Sequence, residues 1–215
     1  MNKLKTITYA LLSIIATMAT TSCADWLKVD LEDSVLEDKL YENNDGYFAA
    51  LNGVYAKMNE TYASTLTMGH IDVMAQYYNV AKNSEHAYFP FANYKYSENE
   101  FKSISANVWP SLYFYIATLN TLIEHCAAGD SKLSPVYKPY IKGEALALRA
   151  FFHFDLLRLY GPIYSTKTEN NSAIPYQETS SKSIQPILNA KQVAEKIMRD
   201  LNEASLLLKD DRIIK

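Results

Sequence analysis

The chain has 215 residues, 48% hydrophobic and 13% aromatic, which is enough apolar material for a real buried core. Its 21 Lys and Arg stand against 24 Asp and Glu for a net charge of −3, which gives no support to nucleic-acid binding, where a basic patch is usual. Only two cysteines are present, Cys23 and Cys126, too few for a disulfide framework.

The first 22 residues read as an export signal. Lys3 and Lys5 open it, Ile7 to Ala19 form a short apolar core, and Thr20-Thr21-Ser22 lead into Cys23. The apolar run is too short and too rich in threonine for a comfortable membrane span. Small residues directly before a cysteine suggest lipoprotein processing, with Cys23 as the lipid-attachment site; the plainer alternative is a secreted signal with an incidental cysteine. A lipid on Cys23 would anchor the mature chain to a membrane rather than thread it through one. It would also leave Cys126 without an intrachain partner. Removing the signal takes two lysines and no acid, leaving 19 basic against 24 acidic residues.

Residues 23–43 are acidic and have no clean period, so they are expected to run as a tether. Asn43-Asn44-Asp45 then offers helix N-cap chemistry, and Tyr47, Leu51, Val54, Tyr55 and Met58 recur at helical spacing. A second helix is expected over residues 65–78. His70 and Asp72 could be taken as a metal pair, but no third ligand lies at helical spacing, so they are read as polar side chains on the outside of a helix, and no metal or other cofactor is expected.

From 79 to 102 regular structure fades. Tyr88, Phe89, Phe91, Tyr94 and Tyr96 are interleaved with polar residues around Pro90. A loop of this length without periodicity is uncommon unless it is functional or disordered, and its aromatic content argues against disorder. Tyrosine offers a flat apolar face with a polar tip, which suits sugar rings and wet interfaces. Tyr88, Asn93, Tyr94 and Tyr96 are therefore the candidate ligand contacts. The competing reading folds these aromatics inward as a small satellite core.

Trp109, Tyr113, Ile116 and Asn120 mark the next helix, which either begins at Pro110 or is kinked there, and which ends at Ala127-Ala128-Gly129-Asp130. Residues 140–162, YIKGEALALRAFFHFDLLRLYGP, are rich in strong helix formers and stop at Gly161-Pro162, where glycine can take a left-handed cap and proline cannot continue. At about 100° per residue this helix has two apolar strips. One holds Ile141, Ala145, Leu148, Phe152, Leu156 and Leu159; the other holds Gly143, Leu146, Ala147, Ala150, Phe154 and Leu157. Lys142, Arg149, His153 and Tyr160 form one polar strip between them, with His153 placed as a cap on it; Glu144, Asp155 and Arg158 form the other. Two apolar strips mean a helix sandwiched between neighbours, with the small residues allowing close approach. After Gly161 the chain is expected to be extended and turn-rich to about Ile187. A last helix over Ala190 to Leu208 puts Val193, Ile197, Leu201, Ala204 and Leu208 on one face.

These segments resemble the SusD/RagB family of outer-membrane nutrient-binding lipoproteins of Bacteroidetes. The central helix carries the resemblance in Glu144-Ala145, Leu148-Arg149-Ala150, Phe151-Phe152, Phe154-Asp155-Leu156 and Leu159-Tyr160-Gly161-Pro162, with Tyr164 where the family has a further proline. Supporting matches are Cys23 followed by Trp26-Leu27, Leu51-Asn52-Gly53-Val54-Tyr55, the set Trp109, Tyr113, Ile116 and Asn120, Ile174-Pro175, and Ile197, Asp200, Leu201, Ala204 and Leu208. Asp33-Ser34-Val35 also fits the short pattern that Bacteroidetes use for O-glycosylation, at Ser34. The resemblance covers nearly all of this chain but only the N-terminal part of the family, so the last helix is expected to lack its partner, with an uncovered apolar face.

The resemblance implies an all-α fold of tetratricopeptide-like helix pairs with long irregular loops. It implies a signal over residues 1–22, a tether over 23–43 and a helical domain, truncated at its C-terminus, over 44–215. It further implies a surface lipoprotein of the outer membrane that binds a glycan, or in some members a peptide, and passes it to a SusC-like TonB-dependent transporter. The competing class is a helical-repeat scaffold that binds protein partners. The sequence contains no P-loop, no G-x-S-x-G and no H-E-x-x-H, and nothing singles out an acid pair for glycoside hydrolysis, so no enzyme activity is expected.

Overall fold

A computed structural model describes residues 32–81, 86–181 and 183–209. The export signal and Cys23 lie outside the described residues. The chain divides after Lys39. The first unit contributes helix α1 (Glu32–Leu40), with Lys39 in its last turn, so the stretch expected as an aperiodic tether contains a short helix.

Among the described residues, the second unit is built on four long helices. Its first helix, α2 (Asn44–Lys57), starts where the capping chemistry places it: Gly46 N–H donates to the Asn43 side chain at 3.2 Å, and Tyr47, Leu51 and Val54 are buried. The expected break before a second helix does not occur at Met58. The chain continues as a π-helical stretch, Met58–His70, whose backbone leaves helical geometry at Met68 and Gly69, followed by the single turn α3 (Ile71–Met74). No glycine or proline lies between Gly53 and Gly69, so the helix runs until Gly69 breaks it. Past the short α4 (Phe89–Ala92), α5 (Asn99–Ala127) begins ten residues earlier than Trp109 suggests. Phe101, Ile104, Val108 and Leu112 carry one apolar stripe straight through Pro110. Pro110 and Ala106 both lie on the exposed side, where water can satisfy the carbonyl that Pro110 leaves without a donor.

Helix α6 (Lys138–Tyr160) has Pro139 in its first turn and is the sandwiched element. Phe152 of one strip packs on Tyr115 of α5 with ring centroids 5.2 Å apart. On the other strip, a side chain at Gly143 would meet Leu208 at 2.8 Å and Leu207 at 3.1 Å, at the end of α7 (Ala190–Leu207). The strips depart from expectation at Phe154, which is half exposed. Gly161 also differs from the expected left-handed cap, with φ −83°. Glycine is needed there because a Cβ would come within 2.5 Å of the Leu157 carbonyl.

Between α6 and α7 the expected extended run pairs into a small antiparallel sheet, β1 (Ser172–Pro175) and β2 (Ile187–Asn189), with Ser172 opposite Asn189 and Pro175 opposite Ile187. A capping box then starts α7: Gln192 N–H donates to Asn189 Oδ1 at 2.8 Å, and Asn189 N–H to Gln192 Oε1 at 3.1 Å. The apolar face of α7 is not left uncovered. Val193, Ile197 and Ala204 are buried, the helix lies against α6, and Leu201 is turned outward while Asp200 faces in. Among the described residues the class is all-α, with this one two-stranded sheet, and no helix there is long and apolar enough to cross a membrane.

Candidate functional site

Two groups of polar residues stand out, and they do different work. The first is buried. Arg149 of α6 donates to Asp200 Oδ2 at 2.7 Å, to Asn120 Oδ1 at 2.9 Å and to the Glu178 carbonyl at 3.2 Å. Tyr176 donates its hydroxyl to Asp200 Oδ2 at 2.7 Å, and Asn120 donates to the carbonyls of Gln177 and Thr179. His153 is not the polar-strip cap expected of it. It is fully buried, stacked on Tyr176 at 3.7 Å, with Nδ1 on the Arg149 carbonyl and Nε2 accepting from Gln177 N–H at 3.0 Å. Burial, with Arg149 beside it, pulls His153 down to about 3. Burial acts to raise the Asp200 carboxyl, but Arg149, Arg199 and Tyr176 outweigh it and hold it below the ordinary range. Every partner in this cluster is internal, so it ties α5, α6, α7 and the segment after β1 together. Trp109 against Tyr160 (5.0 Å) and Tyr113 donating to the Pro175 carbonyl (2.7 Å) do the same. The residues that carry the family resemblance hold the fold.

The second group opens to solvent beside the aromatic loop. A cleft of about 370 Å³ lies between the π-helical stretch, α4, α5 and the end of α6. Phe91, buried to 2% exposure, and Phe101 form its floor, their rings stacked at 4.7 Å, and Tyr96 stands edge-on to Phe101 at 4.9 Å with 58% exposure. Polar groups converge from His70, Ser105, Arg158 and Tyr160. His70 places Nδ1 on the Thr65 carbonyl, which can only accept, so Nδ1 carries the hydrogen and Nε2 is left as an acceptor. Burial lowers its pKa, opposed by that hydrogen bond. Tyr160 donates to the Ser105 carbonyl at 2.8 Å.

Of the four residues singled out in the loop, Tyr96 lines this cleft. Tyr94 is 47% exposed at a left-handed position, φ 52°, its hydroxyl donating to the Met74 carbonyl at 2.6 Å and its ring 6.4 Å from that of Tyr96. Asn93 is exposed and turns its amide back onto the Phe89 carbonyl at 2.9 Å. Tyr88 is half-buried against His70 at 5.3 Å. The loop is therefore divided: Phe91 folds inward as satellite core, while Tyr94 and Tyr96 stay exposed. Sequence reasoning missed Phe101, Ser105, Arg158 and Tyr160, because α5 was expected to start after two of them and the other two sit at the end of a helix read for packing. Among the described residues, His, Cys, Asp and Glu form no cluster that could hold a metal ion, His70 and Asp72 included.

A second hollow of about 270 Å³, lined by Tyr62, Thr65, Asn107, Ser111 and Tyr115, shares Leu66, Ile104 and Val108 with the first. Asp155 lies buried near both. It accepts hydrogen bonds from Tyr62, which lines one hollow, and at 2.6 Å from Arg158 Nε, which lines the other. Burial raises the Asp155 carboxyl, opposed by both partners.

Comparison with known proteins gives one consistent result. Residues 29–214 match the SusD-like family model described as "Starch-binding associating with outer membrane". The chain is 26% identical over 206 residues to the SusD-like protein P38 of Formosa agariphila, a match covering 95% of this chain and 38% of that protein. It is similar in structure to a SusD superfamily protein from Bacteroides thetaiotaomicron, with TM-score 0.61, 22% identity and coverage of 78% of this chain and 38% of the other. It is likewise similar to a SusD-like carbohydrate binding protein from Bacteroides vulgatus, with TM-score 0.63, 21% identity and coverage of 79% and 37%. The chain thus spans well under half the length of the relatives it matches.

Proposed function

The chain belongs to the SusD-like family, and from that membership we propose that it is a glycan-binding protein of the outer membrane, held there by a lipid on Cys23, which hands its ligand to a SusC-like TonB-dependent transporter. The observation that carries the reading is the cleft beside the aromatic loop, where flat amphipathic rings meet a few converging polar groups, the usual composition of a small-molecule site. Tyr96 and Tyr94 supply exposed faces on which pyranose rings stack; Asn93, Tyr88 and the acceptor nitrogen of His70 supply hydrogen bonds that orient sugar hydroxyls. The family description, which names starch binding and the outer membrane, supports the same reading. Binding without turnover is what this site is suited to, since its polar groups are spread around aromatic walls rather than paired for proton transfer.

The test is glycan binding by the whole protein and by Tyr96→Ala and Tyr94→Ala. Each change should weaken binding about tenfold or more, some 1.4 kcal/mol, at nearly unchanged melting temperature. Undiminished affinity in both would remove the site from this loop.

A further inference from the structure

Among the described residues that line the cleft, one side chain is charged, Arg158, and none is acidic. Its surroundings fix how it is presented. The Nε edge of the guanidinium donates to Asp155 Oδ1 at 2.6 Å, while Asp155 Oδ2 accepts from the Tyr62 hydroxyl, so the carboxylate is satisfied on both oxygens. Asp155 is itself fully buried, whereas 37% of the Arg158 side chain is exposed. The face of the group rests over the Phe154 ring at 5.9 Å. Arg158 also hydrogen-bonds the Tyr62 hydroxyl, so what remains for the cleft is the rest of its terminal N–H groups, held in a planar fork of the kind that matches a carboxylate or a sulfate. His70 does not compete as a second cation, because burial favours its neutral form.

We propose that this cleft takes an acidic saccharide, its ring stacked against Tyr96 and its oxyanion held by Arg158. The proposal rests on the glycan-binding reading above and adds the ligand class. Asp155 cancels most of the long-range field of Arg158, so discrimination comes from short charge-assisted hydrogen bonds rather than from steering. The gain for an acidic over a matched neutral chain is then about tenfold to a hundredfold.

The experiment is an array of oligosaccharides in matched neutral, uronate-bearing and sulfate-bearing forms, probed with the whole protein and followed by titration of the strongest matched pair. The wild type should prefer an acidic form, and the uronate and sulfate arms identify which oxyanion is recognised. Arg158→Gln should bring the ratio of affinities to within about twofold of one. Because that change strands a buried carboxylate, the double variant Asp155→Asn with Arg158→Gln is measured beside it and should give the same ratio. Tyr96→Ala should weaken acidic and neutral ligands alike. Equal affinity for matched acidic and neutral chains, or a preference that survives both Arg158 variants, overturns this proposal and leaves glycan binding standing. Binding of no saccharide in any form overturns both.

Discussion

A residue buried without charge can report on the fold through pH. His153 is pulled down to about 3 by burial, with Arg149 adding to the effect, while the Arg149 carbonyl, Asp200 and Glu178 act the other way. In the unfolded chain the imidazole takes a proton near its ordinary value of about 6.5. The folded state is therefore fully favoured above that value and loses stability as pH falls from it toward about 3, at about 1.4 kcal/mol per pH unit. Asp155, raised by burial, works in the opposite sense, and Asp200, held low, matters only in stronger acid. Between pH 6.5 and 5.0 the loss through His153 should be about 2 kcal/mol, seen as a falling urea midpoint, and His153→Gln should flatten that slope. An equal slope in the variant would contradict the assignment. Within the same cluster, Arg149→Met should cost about 3–5 kcal/mol by stranding Asp200. Helical spacing placed Arg149 and His153 on a polar strip, but not indoors, because their partners come from 29 and 51 residues away and from the segment after β1. In the aromatic loop, composition marked the segment that borders the cleft, yet it could not divide Phe91 from Tyr96; that division depends on Phe101 arriving from an earlier start of α5.

At the scale of elements, α6 was legible almost whole, since its two apolar strips and its Gly-Pro stop are local signals. Gly143 gives the sharpest check. Gly143→Leu would drive a side chain into Leu207 and Leu208, costing about 1–3 kcal/mol by overpacking, and a melting temperature equal to the parent's would show that the end of α7 does not lie there. Helix α7 shows why one face was misjudged. Leu201 completes an apolar stripe on paper, yet Arg149 recruits Asp200, and the helix turns to present it, leaving Leu201 40% exposed. The β1–β2 pair was not legible, because strands of four and three residues are too short to show a period. The π-helical stretch was hidden for another reason: periodicity places a helix over residues 65–78 but shows neither how widely it winds nor that it leaves helical geometry at Met68 and Gly69.

For the whole molecule, family membership follows from the match over residues 29–214, while ligand capture and delivery are what we propose for a chain that spans 38% of the length of its relative P38. The central claim is that a glycan sits in the cleft beside the aromatic loop. Hydrogen exchange of the whole protein, with and without a saturating oligosaccharide selected on the array, tests it most directly. Binding should slow exchange in residues 91–105 and around Arg158 to Tyr160, and leave the buried contact of α6 with α7 unchanged. Saturated binding with no added protection in residues 91–105 would contradict it.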